Sequence, residues 1–288
     1  MQSIRINATI APGGRPDQCI AAAIANNRLY FHRPAPERRP LRRCTRHASH
    51  GASEPIATMP IAPSLPTIVF DLDGTLADTA QDLVTTLNLI LVREGLEAIP
   101  LASARQLIGQ GVRALLQRGF ATQGRTISAS RLDILFEEFL DHYGRHIADE
   151  TRLYPGVEAA LDRLSRKGHL LAVCTNKTEI LSRDLLAALS IAERFAAICG
   201  RDTFPFCKPD PRHLRETVKL AGGSASLAIM VGDSKTDIDT ARAAELPVIA
   251  VPFGYTDIPV AELGPDSIIT HFDEIDAAIA QLSQGVPA

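Results

Sequence analysis

The chain has 288 residues, 45% of them hydrophobic, and a formal net charge of −3. That length suits one large domain or two ordinary ones, the apolar share is ample for a core, and the charge balance carries no nucleic-acid signature. Five cysteines, odd in number and without CxxC spacing, speak against a disulfide frame or a zinc site and predict reduced thiols in a cytoplasmic protein; no apolar run reaches the length of a membrane span.

Residues 1–60 hold nine Arg, no Lys and three acids, a local charge of +6 that leaves −9 for the other 228 residues. Gly13-Gly14, the Pro34–Pro40 stretch and the prolines at 55, 60, 63 and 66 break any periodicity. Residues 1–64 are therefore expected to be a disordered or only locally ordered basic extension. Three readings stay open: a basic arm for an acidic partner, an Arg-rich targeting peptide, or a start-site artefact with Met59 as the working start.

The first strong element is Ile68-Val-Phe-Asp71-Leu-Asp73-Gly-Thr-Leu76, an apolar run that meets two carboxylates. It reads as a buried strand ending in a loop. Asp71 and Asp73 are two apart, so in strand geometry they point to one side. Such a pair is self-repelling and calls for a cation; Mg2+ accepts a few carboxylates and keeps the rest of its shell for water and phosphate oxygens. An Asp-rich turn is the plainer alternative.

Helices are predicted over 78–94, 102–120 and 130–147, where apolar residues recur at helical spacing and no convincing strand intervenes. Strand and helix then alternate: helix 157–167, strand 170–174, helix 179–189, strand 195–199, helix 211–221, strand 227–231, helix 235–244, strands 248–251 and 267–269, and helix 273–283. Continuous apolar strands between helices predict an α/β fold, a doubly wound, Rossmann-like parallel sheet covered on both faces. The expected division is an α/β core of residues 65–77 and 152–288, and an inserted all-helical cap of residues 78–151. In such folds the crevice lies outside the carboxyl ends of the strands. Asp71/Asp73, Thr175/Asn176, Lys208 and Asp233/Asp237 all fall on or near that edge.

Asp71-Leu-Asp73-Gly-Thr-Leu, Thr175-Asn176-Lys177, Lys208-Pro209-Asp210 and Gly232-Asp233-Ser-Lys-Thr-Asp237 resemble the four ordered motifs of the haloacid dehalogenase superfamily over about residues 66–284. The helical insertion resembles the cap of one subclass. Thr-Asn-Lys at 175–177, the segment from Gly200 to Pro211, and Ile108-Gly-Gln-Gly111 resemble phosphoglycolate phosphatases within it.

The resemblance implies a Mg2+-dependent phosphatase acting on a small phosphorylated acid, best 2-phosphoglycolate, with no nucleic-acid or membrane partner and a monomeric or homodimeric state. It implies Asp71 as nucleophile and Asp73 as general acid, then base, the pair differing by environment. Thr175 and Asn176 suit a transferring phosphoryl oxygen, though Asn176 also suits a helix N-cap. Lys208 would neutralise nucleophile and phosphate charge. Asp71, the Asp73 backbone carbonyl and Asp233 would hold the metal. Asp237 would hold a metal water or Lys208, or be an ordinary first-turn Asp. In the cap, Gly109 and Gly111 would let backbone amides approach a small carboxylate, or simply break a helix. Arg113 and Lys177 are candidate partners for the substrate acid. The alternatives are a sugar-phosphate phosphatase, a pyrophosphatase or a phosphomutase of the same superfamily, and a phospho-accepting signalling domain.

Overall fold

The computed structural model describes residues 65–256 and 258–284; the expected extension at 1–64 lies outside them. In chain order the elements are β1 (Thr67–Phe70), β2 (Ala77–Asp78), α1 (Ala80–Arg93), α2 (Leu101–Ala104), α3 (Val112–Ala121), α4 (Ala129–Arg145) and β3 (Arg152–Leu153). Then follow α5 (Val157–Lys167), β4 (Leu171–Cys174), α6 (Glu179–Ala188), β5 (Ala197–Cys199), α7 (Pro211–Leu220), β6 (Ala228–Gly232), α8 (Lys235–Ala243), β7 (Val248–Ala250), β8 (Ser267–Ile268) and α9 (Ile275–Gln284).

Six strands form one parallel sheet in the order β5-β4-β1-β6-β7-β8. The chain steps outward from β1 through β4 to β5, then returns to the other side of β1 at β6. The switch point thus lies between β1 and β6, where an open α/β sheet offers its crevice. Strand alternation sends side chains to two separate cores. Ile68, Phe70, Leu171, Val173, Ile229 and Val231 pack on the face covered by α5, α6 and α9. Val69, Ala172, Met230 and Val248 pack on the face covered by α7 and α8. The doubly wound sheet is the predicted one, and its near-continuous apolar strands exist because both faces are dry.

A third core belongs to the helical cap. Leu83, Leu87 and Leu91 of α1 meet Leu115, Leu116 and Phe120 of α3 and Leu132, Leu135, Phe139 and Tyr143 of α4. Each such fully buried side chain contributes about 1.5–3 kcal/mol. Ser128 starts α4 by accepting from Arg131 N at 3.3 Å.

Two expectations are corrected. The helix over 102–120 is broken: α2 passes into a 3-10 turn at Arg105–Leu107, and the chain then takes φ +111° at Gly109 and φ +85° at Gly111 before α3 begins. A helix cannot run through such backbone angles. The sequence also gave no sign of the antiparallel pair β2–β3, in which Ala77 faces Leu153 and Asp78 faces Arg152. Two-residue strands are too short to show a period. They nevertheless join the two connections between cap and sheet, as does Asp82, which accepts from Glu150 N, Thr151 N and the Thr151 hydroxyl.

Candidate active site

The topology delivers the acids. Asp71 follows β1 and donates its N–H to Val231 O of the neighbouring strand at 2.9 Å. Asp233 follows β6, and Asp237 sits one turn into α8. One carboxylate oxygen from each of Asp71, Asp233 and Asp237 lies within 4.8 Å of the others, and all three residues are buried. Burial raises the Asp71 carboxyl to about 6 against the pull of Lys208, with Asp237 adding to the rise. Burial lifts Asp233 further, to about 8, reinforced by Asp237 and Asp71. Burial is the main cause of both shifts, and the neighbouring carboxylates add to it.

Lys208 is the cation the sheet edge supplies. Its ammonium is 1% exposed, 2.5 Å from Asp237 Oδ1 and 2.9 Å from Asp71 Oδ1. Burial alone would lower its pKa, but Asp237 and Asp71 outweigh that and raise it. Asp237 spends its second oxygen on Ser234, accepting from N at 3.1 Å and from the hydroxyl at 2.6 Å, which closes a capping box at the start of α8. The first-turn capping role and the Lys208 role anticipated for Asp237 are both filled by one side chain.

Asp233 is held on both oxygens, by the Thr75 hydroxyl at 2.8 Å and by Tyr255 N at 2.7 Å. Gly74, at φ +87°, is required here because a Cβ would run into that carboxylate. The Tyr255 hydroxyl in turn accepts from Thr79 N and Ala80 N and donates to Asp78 Oδ1, so it caps α1 from outside. By contrast, Asp71 Oδ1 is buried and no hydrogen bond is aligned on it, although Lys208 is within ion-pair distance. A buried, unaligned carboxylate oxygen beside two more acids suits a hard divalent cation.

The Asp73 carboxylate lines the same cleft as Asp71 but has its own cation. It takes Lys177 Nζ at 3.0 and 3.2 Å, and the same ammonium is 2.9 Å from the Tyr143 hydroxyl of cap helix α4. Lys177 is buried; burial pulls its pKa down, and Asp73 and Tyr143 more than reverse that. Thr175 is buried after β4, its hydroxyl accepting from Lys177 N at 3.2 Å. Asn176 donates to Lys208 O at 3.2 Å, which ties the second motif to the third, and its Oδ1 has no partner. The helix cap anticipated as an alternative for Asn176 falls instead to Thr178, the residue before α6.

One cleft joins these groups. Asp71, Asp73, Thr175, Asn176 and Lys177 line it from the sheet edge, and Leu83, Ile108, Val112, Leu115 and Phe136 line it from the cap. The water-sized space inside is about 40 Å³, room for a few waters or a small molecule. Gly109 and Gly111 stand on its cap wall, and Gly111 begins α3 without a capping side chain. Arg113 is not among the lining residues: it pairs with Asp133 at 2.6 Å and lies over the Phe136 ring, 4.3 Å from its centroid. Arg201, which follows β5, lines the cleft instead.

Tyr143, Tyr255, Thr178 and Arg201 are the residues that sequence reasoning missed. Tyr143 falls in the apolar stripe of α4 and reads as core, and it is indeed fully buried. Tyr255 lies in an irregular loop, though just past a strand at the carboxyl edge, a position that could have flagged it. Thr178 reads as a helix cap.

The chain matches the haloacid dehalogenase-like hydrolase family over residues 68–251. It is 51% identical over 218 residues to the phosphoglycolate phosphatase of Mesorhizobium japonicum, covering 76% of this chain and 96% of that one. It is 46% identical over 228 residues to the phosphoglycolate phosphatase of Agrobacterium fabrum, covering 78% and 98%. Among solved structures it superposes on one described as a predicted phosphoglycolate phosphatase from Haemophilus somnus, with TM-score 0.70, 30% identity and coverage of 74% and 97%.

Proposed function

The chain belongs to the haloacid dehalogenase-like hydrolases and is a phosphatase, and on that premise we propose that it is a Mg2+-dependent enzyme converting 2-phosphoglycolate to glycolate and phosphate through an aspartyl-phosphate on Asp71. The observation that carries this reading is the crowding of Asp71, Asp233, Asp237 and Lys208 at the sheet edge, with Asp71 also lining a cleft that holds about 40 Å³ of water-sized space. Membership in a hydrolase family sets aside the signalling domain. The names of the relatives at 51% and 46% identity support the substrate.

In this reading Asp71 Oδ attacks phosphorus and the ester P–O bond breaks. Asp73 gives its proton to the departing glycolate oxygen. It then takes a proton from water, which attacks phosphorus and returns Asp71 to a carboxylate as phosphate leaves. Asp71, Asp233 and the backbone carbonyl of Asp73 would hold Mg2+, which when bound supplies charge for the phosphoryl oxygens. Lys208, bracketed by Asp71 and Asp237, keeps one positive charge fixed beside the nucleophile. Thr175 and Asn176 face the same phosphoryl group, and Lys177 keeps the Asp73 carboxylate turned into the cleft. The apolar cap wall excludes bulk water. Free thiols at Cys174, Cys199 and Cys207 suit a cytoplasmic site of action.

The test is phosphate release, with and without Mg2+, over 2-phosphoglycolate, sugar phosphates and pyrophosphate. Highest kcat/KM on 2-phosphoglycolate, lost with chelator and restored by Mg2+, is the expected result. Equal turnover of all esters would sink the substrate assignment, and chelator-resistant turnover would sink the metal.

A further inference from the structure

The geometry points to Arg201 as the residue that reads the substrate's carboxylate, with the Thr178 hydroxyl as a second donor beside it. This deepens, and rests on, the reading of the substrate as 2-phosphoglycolate. The phosphate end of the cleft accounts for Asp71, Thr175 and Lys208, and leaves open which group recognises the acid at the other end.

The cations at and near the cleft differ in what they already hold. Lys208 is shared between Asp71 and Asp237. Lys177 is shared between Asp73 and Tyr143. Arg113 is outside the lining and paired with Asp133. The acids around Arg201 are also engaged: Asp202 accepts from Glu179 N, and Glu179 holds Arg183 and Thr203. Arg201 itself lines the cleft, is half-buried, and its guanidinium has no hydrogen-bond or ion-pair partner among the described residues. An unpaired guanidinium on a cleft wall suits an anion, and its planar fork matches a carboxylate.

Its placement is fixed by the fold. Arg201 N donates to Lys177 O at 2.9 Å, so the loop after β5 is tied to the catalytic Thr175–Lys177 segment. β5 is two strands from β1, a lateral offset of about 10 Å at ordinary strand spacing. A long side chain and a two-carbon acid together span that offset. Arg201 Nη1 also fills the space where a Cβ of residue 111 would sit. Gly111 is needed for its φ of +85°, and a side chain there would displace the guanidinium that crosses it.

A second observation points the same way. Thr178 Oγ1 lines this cleft, is buried, and has no partner. An unpaired buried hydroxyl on a cleft wall can donate to a carboxylate oxygen. The start of α3, which lacks a capping side chain, lies beside the guanidinium and carries the same sign of potential. An uncharged group in place of the carboxylate would leave the guanidinium unpaired, and that is the source of discrimination.

The test compares 2-phosphoglycolate with 2-hydroxyethyl phosphate, which replaces the carboxylate by CH2OH, using the full chain with Mg2+. Arg201→Met is expected to lose roughly 100-fold in kcat/KM on 2-phosphoglycolate, mostly through KM, and less than about threefold on 2-hydroxyethyl phosphate. Arg201→Lys keeps the charge without the fork and recovers part of the loss. Gly111→Ala displaces the guanidinium and moves selectivity in the same direction without touching Arg201. Equal losses on both substrates, or none on either, overturn the assignment. If the parent enzyme prefers the acid and Arg201→Met still does, Arg201 alone is wrong. If the parent enzyme does not prefer the acid, the substrate reading fails and takes this inference with it.

Discussion

The two walls of the cleft are built by opposite rules. On the sheet edge the wall is Asp71, Asp73, Thr175, Asn176 and Lys177, and the charged groups at and behind it are buried and hold one another: Lys208 between Asp71 and Asp237, Asp233 between Thr75 and Tyr255. On the cap side the wall is Leu83, Ile108, Val112, Leu115 and Phe136, broken by two glycines with positive φ. The difference follows from what each must do. Phosphoryl transfer needs fixed charge before substrate arrives, because reorganising dipoles during the reaction costs rate. Choosing among small phosphate esters needs only shape, dryness and one correctly placed charge. Removing a charge from the first wall should therefore damage rate, and also the fold where it strands a buried partner, whereas removing a group from the second should alter selectivity or nothing.

The largest break is Asp71→Asn. On the proposed mechanism it removes the nucleophile, and turnover should fall by roughly 10⁵-fold. One of three crowded carboxylates loses its charge, so the thermal midpoint should stay level or rise. Phosphate release and a melting curve on the same preparation check both. Substantial residual hydrolysis would remove Asp71 from the nucleophile's place.

Lys208→Met comes next. Lys208 and Asp237 are both buried, and stripping one partner from a buried pair costs about 3–5 kcal/mol. Urea unfolding should show that loss, together with a fall in turnover of roughly 10³-fold. A variant of unchanged stability would mean that the Lys208–Asp237 contact carries no weight in the fold.

Asp71, Thr175 and Asp233 were legible because their chemistry is written at strand ends, and Lys208 through its motif. An apolar run of four to five residues followed by Asp, Thr or Gly-Asp identifies a buried parallel strand and the crevice edge at once, as at Asp71, Thr175 and Asp233. The parallel sheet followed from the same runs. The cap wall was not legible for a physical reason. Whether Arg113 or Arg201 faces the cleft depends on how α3 is rotated and on where the loop after β5 ends, and neither has a sequence period. Tyr143 carries a hydroxyl that meets Lys177, yet its position in the stripe of α4 is that of any core residue. Gly109 and Gly111 were recognisable as a break, but the arginine packed on Gly111 comes from a loop 90 residues away.

A third test examines the support beneath the charged wall. His213 is buried, accepts from Lys208 N through Nδ1 at 3.2 Å, and is lowered from 6.5 to about 4 by burial and then by the Lys208 charge. Between those two values the unfolded chain binds the proton and the native state does not, so stability rises with pH across the window and is lost as pH falls from about 6.5 toward 4. The full effect is about 3 kcal/mol. Other acids titrate nearby, so the measurement is the difference between the parent chain and His213→Asn in urea midpoints at pH 4.5 and 7. The parent should lose more on acidification. Parallel slopes would show that this imidazole does not change charge on unfolding.

The smallest expected effect is the sharpest for the comparison. Arg113 was expected to meet the substrate acid, but it stands outside the cleft lining, 39% exposed, between Asp133 and the Phe136 ring. An exposed ion pair of this kind is worth about 0–1 kcal/mol, and the ring contact adds about 0.5–1 kcal/mol at most. Arg113→Ala should therefore shift the urea midpoint slightly and leave KM for 2-phosphoglycolate within about twofold. Both arginines carry the same charge, and both lie near the cap wall. If orientation toward the cleft decides function, then Arg201→Met changes substrate preference and Arg113→Ala does not. A large KM effect at Arg113 would mean that charge near the cap acts on substrate from outside the cleft, and the division between a charged wall for rate and a shaped wall for choice would have to be abandoned.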